Sequence, residues 1–162
     1  QVRVDYKDKA AVELAKAFGT HYVVNSKYIE KSFRKEAFKA RKHILVFEGG
    51  ESMRLDEYGI EEGVNGTKRM LASLGMLAEA PEPQETIFLK ESNWVRAKAS
   101  GIFNSSLKVG EPVKKGQILA RISDPYGHVK IPVKSPTNGY IIGMNNMPVI
   151  NTGDALVHIG KE

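Results

Sequence analysis

The sequence contains no cysteine in its 162 residues. This absence excludes disulfide bonds, thiolate metal ligands and a cysteine nucleophile. Long apolar runs are also missing, since none approaches the roughly 20 residues that span a bilayer. A signal peptide would show a charged start followed by an apolar stretch, and the sequence has no such pattern. We therefore expect no membrane partner and predict a cytoplasmic location.

A strong excess of one charge is missing as well. The 24 lysines and arginines face 19 acidic residues, which gives a net charge of +5. This excess is mild, and no aromatic-plus-basic motif accompanies it, so nucleic acid is not an expected partner. The apolar share of 41% is typical of a folded protein. The length suits one medium domain or two small ones.

Residues 1–77 alternate helical and strand patterns, which indicates an α/β sheet. The first helical pattern follows Asp8, a suitable N-cap, and stops at Gly19. Its apolar positions are Ala11, Leu14, Ala15 and Phe18. Residues 21–25 then read as a short β-branched strand.

A second helix is predicted within residues 28–42 and a third over about residues 55–75. The second has one apolar face, formed by Ile29, Phe33, Ala37 and Ala40. The third is predicted to turn inward Ile60, Val64, Met70, Leu71 and Leu74. Between them, "HILVF" (43–47) is continuously apolar, which favours a parallel strand covered on both faces. Two or three such strands leave an apolar edge, so we expect more of the sheet before Gln1.

Composition changes after residue 77. Residues 78–86 contain two prolines and three glutamates without an apolar period, which is typical of a linker. Residues 87–162 contain short β-rich runs separated by turn residues, which predicts an all-β domain. Two copies of one motif lie within it and suggest a pseudo-symmetric sandwich. The paired positions are Gly101 with Gly139, Val113 with Val149, Gly116 with Gly153, Leu119 with Leu156, and Ile122 with Ile159.

The runs "GEPVKKGQILARI" and "NTGDALVHIG" resemble the turns of biotinyl and lipoyl carrier domains. This resemblance implies a barrel-sandwich hybrid. A carrier domain presents a lysine on the hairpin between its two copies, but "SDPYGHVKI" has no lysine at its tip. The carrier position falls on His128, and Lys130 lies in the returning strand. We therefore expect a carrier-like fold without biotin or lipoate.

The run "FEGGESMRLDE" (47–57) resembles the succinylglutamate desuccinylase/aspartoacylase family, a branch of the zinc carboxypeptidase superfamily. The matching positions are Phe47, Glu48, Gly50, Glu51, Arg54, Asp56 and Glu57. "KSFRKEA" (31–37) resembles a helix of the same family, and a small β domain ends the family's chains. The resemblance implies that residues 1–77 are the C-terminal part of a zinc-carboxypeptidase-like α/β domain.

In that family a zinc ion activates water, and a glutamate after a late strand acts as general base and acid. By motif position this glutamate is Glu48. Its predicted place at the carboxyl end of a strand suits a ligand site, and partial shielding from water suits proton transfer. Arg34 is a candidate for holding a substrate carboxylate, because guanidinium binds carboxylates in a bidentate way. Glu51 and Arg54 are further candidates near the substrate.

None of the four histidines lies in an H-x-x-E motif, and no three of them have zinc-ligand spacing. They are His21, His43, His128 and His158, and we read the first two as structural. The family's zinc ligands are therefore expected upstream of Gln1, in a missing N-terminal part of the protein. Loss of the chemistry is the other interpretation of their absence.

The predicted parent protein is a zinc-dependent hydrolase that cleaves an N-acyl amino acid or a related amide. The 162-residue chain alone is expected to be inactive. The alternative is a non-catalytic binding or assembly module whose β domain packs against another domain or subunit. The sequence leaves a homo-oligomer open and does not define the acyl group or the amino acid.

Overall fold

In the computed structural model, which describes residues 1–162, the chain separates into two units, 1–89 and 90–162. The first unit holds three helices, α1 (Lys9–Phe18), α2 (Phe33–Lys39) and α3 (Glu57–Ser73). Its strands are β1 (Val2–Val4), β2 (Tyr22–Asn25), β3 (Val46–Phe47) and β4 (Ile87–Leu89). No helix combines the length and the apolar character that crossing a membrane requires.

The four strands of the first unit form one sheet in the order β3-β1-β2-β4. Strands β1, β2 and β4 are parallel, whereas β3 runs antiparallel to β1. The prediction that "HILVF" is a parallel, fully covered strand is therefore wrong. The sheet also includes β4, so residues 87–89 belong here and not to the β-rich half. Strands β1 and β4 contain three residues each, which is too short for a periodic signal.

Helix α1 covers one face of this sheet, and its predicted limits are confirmed. The Asp8 carboxylate accepts a hydrogen bond from the Ala11 N–H at 3.1 Å, as an N-cap does. Gly19 adopts the left-handed conformation (φ +66°) that ends many helices. The buried side chains of α1 pack with β1 and β2 in an apolar core that comprises Val2, Val4, Ala11, Ala15, Phe18 and Val23.

The predicted apolar face of α2 is wrong. The helix has only two turns and buries no residue. Ile29 lies before its N-cap, Ser32, and is 74% exposed, while Phe33 is 80% exposed. Polar and aromatic contacts hold the helix instead. Arg34 donates to Ser26, and the rings of Phe38 and Tyr28 lie 5.0 Å apart.

Helix α3 exists as predicted, but it turns a different face inward. Its buried residues are Gly59, Glu62, Gly66 and Arg69, whereas Ile60 and Val64 are each 48% exposed. The glycines let the helix approach aromatic rings closely: a methyl group at Gly66 would overlap the Phe18 ring. The inward face of α3 therefore packs through its glycines, and not through the apolar side chains that the periodicity predicted.

A buried ion pair fastens α3 to the segment predicted as a linker. Arg69 Nη2 lies 2.5 Å from Glu62 Oε1, and Arg69 Nε donates to the Phe18 carbonyl at 2.7 Å. The other oxygen of Glu62 accepts from Gln84 Nε2 at 2.7 Å, and Arg69 Nη1 donates to the Glu82 carbonyl at 3.2 Å. Residues 82–84 are thus tied to the first unit. Hydrogen-bonded partners satisfy both buried charges.

The second unit consists of two four-stranded sheets. Its strands are β5 (Glu91–Arg96), β6 (Gly101–Asn104), β7 (Pro112–Val113), β8 (Ile118–Ser123), β9 (Lys130–Lys134), β10 (Gly139–Met144), β11 (Val149–Ile150) and β12 (Ala155–Lys161). One sheet has the order β5-β12-β10-β7 and the other β11-β6-β8-β9. Each sheet therefore takes one two-residue strand from the opposite copy of the repeat.

The structure corrects one pair of the predicted repeat. Val149 is 66% exposed, while Ile150 is buried and pairs with Gly101, as buried Val113 pairs with Gly139. Val113 therefore corresponds to Ile150, not to Val149. The glycine pair Gly101 and Gly139 is equivalent as predicted, since a side chain at either position would collide with a neighbouring carbonyl.

Candidate functional site

Glu48 immediately follows β3 and is held on the sheet by its neighbours. Its N–H donates to the Gln1 carbonyl at 2.9 Å. Its Oε2 accepts from Arg3 Nε at 2.6 Å and from Gln1 Nε2 at 2.9 Å. The side chain is 48% exposed, and that of Arg3 is 20% exposed. The ion pair fixes the position of one carboxylate oxygen and leaves the group accessible to solvent.

The direction of β3 changes the predicted position of Glu48. Because β3 is antiparallel to β1, Glu48 lies beside Gln1, at the amino ends of the parallel strands. Glu48 follows the carboxyl end of its own strand as predicted, but that end does not lie at the carboxyl edge of the parallel strands, where ligand sites usually form. Side chains alternate along a strand, so Glu48 and Phe47 also point to opposite faces. Phe47 packs on Phe18 with ring centroids 5.3 Å apart, and Glu48 projects away from that core.

A cavity of about 580 Å³ lies on the Phe47 side, between the loop after β3 and helix α3. Its apolar lining comes from Phe47, Leu55, Ile60 and Val64, and the charged residues at it are Glu51, Arg54, Asp56 and Lys68. Gly49, Gly50, Gly59 and Gly63 line it as well. Glu48 does not line this cavity.

Two predicted site residues, Glu51 and Arg54, meet at the cavity. Arg54 Nη1 lies 3.6 Å from Glu51 Oε2, so the two side chains form an ion pair. The Asp56 carboxylate accepts a 2.6 Å hydrogen bond from the Gly59 N–H and caps α3. Gly50 reaches φ +81° beside this cap, a conformation that favours glycine. The Asp56 carboxylate thus fixes the start of α3.

Arg34 lies at the opposite end of the sheet, where β1 and β2 finish. It donates from Nη1 to Ser26 Oγ at 3.1 Å and from Nη2 to the Ser26 carbonyl at 3.0 Å. Its guanidinium carbon is 5.2 Å from the centre of the Tyr28 ring, a cation–π distance. Arg34 Nε is buried without a hydrogen-bond partner in the structure.

A buried carboxylate with two aromatic partners stands beside Arg34. Asp8 Oδ2 accepts from the Tyr28 hydroxyl at 2.7 Å, and Asp8 Oδ1 is 2.8 Å from His43 Nδ1. Burial opposes ionisation, but hydrogen bonds from His43, Tyr28 and the Ala11 N–H outweigh it and lower the pKa of Asp8. The sequence identified Asp8 only as a cap. Its contacts with Tyr28 and His43 span 20 and 35 residues, and no local pattern indicated them.

The predicted site residues therefore occupy three places. Glu48 lies with Arg3 at the amino ends of the strands, and Arg34 lies near their carboxyl ends. Gln1 and Asp5, the residues on either side of β1, are four steps apart, about 13 Å at 3.3 Å per residue. Glu51 and Arg54 are at the cavity on the face opposite Glu48. Residues 1–162 do not bring these side chains into one pocket.

The residues of this chain do not fit a zinc site. No group of three or more histidine, aspartate or glutamate side chains is arranged to hold a metal ion within residues 1–162. His43 binds Asp8, and His158 is buried in β12 against the Trp94 ring, with centroids 4.6 Å apart. His21 stacks edge-on against Tyr22, and His128 lies over Tyr126.

Solved structures resemble the whole chain. The apo structure of the ectoine utilization protein EutE (DoeB) from Ruegeria pomeroyi matches with a TM-score of 0.87 and 20% identity, over 99% of this chain and 55% of its own. A succinylglutamate desuccinylase/aspartoacylase from Rhodobacter sphaeroides matches at 0.84 and 20%, over 99% and 53%. The chain has the fold of the C-terminal half of these proteins.

An aspartoacylase family protein from Mesorhizobium loti extends the likeness, with a TM-score of 0.78, 14% identity, and coverage of 99% of this chain and 51% of its own. The chain thus spans about half the length of the solved structures it matches. No family model matches the sequence, and no curated protein matches it. At these identities the likeness concerns the fold, in which a mixed α/β unit precedes a β-rich unit.

Proposed function

We propose that residues 1–162 are the C-terminal portion of an amide hydrolase that cleaves an N-acyl amino acid or a related amide. The observation that carries this proposal is a fold match over 99% of the chain to proteins named as desuccinylases and aspartoacylases. The "FEGGESMRLDE" run supports it, since it begins at the end of the edge strand β3 in the first unit. The chain supplies one half of the enzyme.

In this proposal Glu48 moves the proton during hydrolysis. Arg3 and Gln1 hold its Oε2, while Oε1 has no partner within residues 1–162. Oε1 is therefore available to accept the proton of the attacking water and to return it to the nitrogen of the leaving amine. General base catalysis requires such an oriented, accessible carboxylate. The substrate-binding roles of Arg34, Glu51 and Arg54 remain predictions.

In this proposal zinc takes most of its ligands from outside residues 1–162, because no group of three ligating side chains lies within them. When bound, it would supply a Lewis acid for the water and the carbonyl. The chain's own contribution to the reaction is then restricted to Glu48 and to substrate contacts. This division predicts that the 162-residue chain alone does not hydrolyse N-acyl amino acids.

The test uses the complete protein that contains these residues, assayed against a panel of N-acyl amino acids. Glu48→Gln keeps the size of the side chain but removes its basicity, so we expect kcat to fall by about 10²–10⁴-fold. The zinc content, measured by atomic emission, should not change. Glu13→Gln is the matched control, because Glu13 is exposed on α1 and contacts only Lys16.

Activity of Glu48→Gln within a factor of two of the unchanged protein would remove Glu48 from the mechanism. Hydrolysis by residues 1–162 alone would overturn the division of labour between the two halves. Loss of zinc in Glu48→Gln would make Glu48 a ligand instead of a base.

A non-catalytic assembly module is the second candidate. The observation that favours it is the separation of Glu48, Arg34 and the Glu51–Arg54 pair within this chain. The upstream coding sequence discriminates between the two candidates: an H-x-x-E motif followed by a later histidine supports the hydrolase. A protein without both, and without activity on the amide panel, supports the module.

We also propose that the second unit is a barrel-sandwich hybrid that carries neither biotin nor lipoate. Two sheets that exchange short strands support this architecture. Lys130 begins β9 opposite Ser123, whereas the turn between β8 and β9 is made by Asp124 and Gly127. Mass spectrometry of the protein from cells supplied with both cofactors should detect the unmodified mass.

A further inference from the structure

The net positive charge of the chain lies entirely in its second unit. Residues 1–89 carry 14 basic and 14 acidic side chains, whereas residues 90–162 carry 10 basic and 5 acidic ones. The four strands of the β11-β6-β8-β9 sheet contain three of these basic residues and no acidic residue. This sheet therefore concentrates positive charge without a neighbouring negative charge in its strands.

The three cations share the outer face of that sheet. Arg121 on β8 lies opposite Pro132 on β9, and directly opposed residues point to the same face. Lys130 and Lys134 lie two positions to either side of Pro132, so they point the same way, and all four side chains are exposed. Diagonal neighbours in a sheet are about 7–8 Å apart, which places Arg121 near both lysines. None of the three cations has an ion-pair partner within residues 1–162.

Exposed apolar side chains adjoin these cations. One row across the four strands consists of Val149, Ile102, Ser123 and Lys130, because each residue pairs with the next. Val149 and Ile102 are both exposed. The face is thus basic on its β8–β9 side and apolar on its β11–β6 side, and we call it the basic face. Apolar residues beside charges on an exposed surface are typical of sites that bind protein.

The first unit carries a segment of the opposite charge. Glu79, Glu82 and Glu85 are exposed and form no ion pair within residues 1–162. The prolines between them favour the polyproline II conformation, which has three residues per turn. In that conformation the three glutamates lie on one side, about 9 Å apart at 3.1 Å per residue. Leu74 and Met76, just before them, are more than half exposed.

This acidic segment, residues 74–85, is held in place on the first unit. The Gln84 N–H donates to the Gly19 carbonyl at 2.9 Å, and the Glu82 carbonyl accepts from Arg69. The Gln84 side chain donates to the buried Glu62. The backbone is therefore bound to the unit while the three glutamates face solvent. A segment that is already ordered loses little conformational entropy when it binds a partner.

We propose that the acidic segment of one copy of the protein binds the basic face of another copy. Each surface has three charges without ion-pair partners, of opposite sign, next to exposed apolar side chains. The contact joins different surfaces of the two copies, so its repetition builds a ring or an open chain. The inference does not rest on the proposed reaction.

Nucleic acid fits the basic face less well than a second copy. Proteins that bind single strands stack the bases on aromatic side chains. Phe103, the one aromatic residue in the four strands, packs against the core. A polyanion would also leave the acidic segment without a partner, whereas a second copy occupies both surfaces.

Sedimentation velocity of the complete protein measures this association. We expect the dissociation constant to rise about tenfold between about 50 and 500 mM NaCl, because salt screens exposed charges. Lys130→Glu combined with Lys134→Glu should raise it by about tenfold or more, since attraction becomes repulsion. Lys98→Glu combined with Lys108→Glu is the matched control, because both lysines are exposed in loops of the second unit.

The opposite reversal, Glu79→Lys combined with Glu85→Lys, should weaken the association to a similar extent. When the two reversed proteins are mixed, each surface again meets one of opposite charge. We therefore expect the dissociation constant of the mixture to return to within about threefold of that of the unchanged protein. The reversed side chains are exposed and unpaired, so the fold should not change, and circular dichroism with Trp94 fluorescence checks this.

A sedimentation profile that the reversals leave unchanged would overturn the proposal. Equal weakening by the control pair, or a mixture that stays dissociated although both variants are folded, would do the same. Retention of the protein on heparin through the basic face, without self-association, would assign the face to a polyanion and also overturn it. None of these outcomes requires hydrolysis, so a failed amide assay leaves the inference standing.

Discussion

The two units of the chain differ in the composition of their cores and in the way their sheets are completed. The second unit folds two copies of one motif onto each other around an apolar cluster that includes Val113, Ile122, Ile141 and Leu156, and its buried polar residues are Ser135 and His158. The first unit has no internal repeat. It combines an apolar core with a buried Glu62–Arg69 pair, a glycine-lined helix and an apolar edge strand.

The difference indicates where each unit obtains its specificity. In a duplicated motif each copy packs against the other, so local turn and strand signals are sufficient to predict the fold of the second unit. A unit without such symmetry depends on individual long-range contacts, such as Arg69 with Phe18 and Glu48 with Arg3. The three helices all lie in the first unit, and Trp94, the single tryptophan, lies in the second. Helical circular dichroism and tryptophan fluorescence can therefore follow the two units separately.

The largest expected effect is that of Arg69→Ala. It leaves the buried Glu62 carboxylate without its cation, which typically costs about 3–5 kcal/mol. We expect the free energy of unfolding in urea, followed by helical circular dichroism, to fall by this amount. The free energy of unfolding followed by Trp94 fluorescence should not change. Glu61→Ala, an exposed neighbour on α3, is the control. An equal shift of both transitions would break the comparison, because it would make the units one cooperative body.

A smaller effect is expected from Gly101→Ala and Gly139→Ala. At both positions a methyl group would collide with a backbone carbonyl, of Ser123 and Gly160 respectively. Overpacking of this kind costs about 1–3 kcal/mol. The Trp94 transition should move by similar amounts in the two variants, and the helical signal should not move. Ser106→Ala, at an exposed position, serves as control. Clearly unequal shifts would contradict the symmetry of the two copies.

The smallest effect is a pH dependence that is absent at neutral pH. Burial is the main cause that raises the pKa of Tyr6 and of Tyr28, each to about 12. Between the unfolded value of about 10 and this value, the folded state keeps protons that the unfolded state releases. The free energy of unfolding of the first unit should therefore be unaffected below pH 10 and fall from pH 10 to 12.

Denaturant titrations followed by helical circular dichroism at pH 9 and pH 11 measure this fall. Tyr6→Phe and Tyr28→Phe should each lower stability at pH 9, because they remove a hydroxyl hydrogen bond, and reduce the loss between the two pH values. Tyr126→Phe, exposed in the second unit, should change neither. An undiminished loss in both first-unit variants would assign the alkaline sensitivity to other groups.

The sequence predicted the features that neighbouring residues determine. The caps of α1 at Asp8 and Gly19 depend on contacts within four residues, and the glycine turns recur in both copies of the β motif. The direction of β3 and the inward face of α3 were missed. The first depends on pairing with β1, about 45 residues away. The second depends on the absence of side chains at Gly59 and Gly66, which an apolar period does not register.

The same limit applies to the candidate site. Motif similarity selected Glu48, and the Glu51–Arg54 pair is a contact between residues three positions apart. The anchoring of Glu48 by Arg3 and of Asp8 by His43 connects distant segments, so no pattern within a short window indicates either contact. The placement of Glu48 on the face opposite Phe47 follows from strand alternation, but only once the extent of β3 is known.

The position of β12 has a consequence for the order in which the chain matures. This final strand lies between β5 and β10, and its register with β5 joins Lys161 to Glu91, the last strand of the unit to the first. Neither repeat forms a complete sheet by itself, because each contributes a short strand to the sheet of the other. During synthesis the β11-β6-β8-β9 sheet therefore lacks a strand until residue 150 has left the ribosome, and the β5-β12-β10-β7 sheet lacks one until residue 161 has left it. This topology delays folding of the second unit until nearly all of its residues are made.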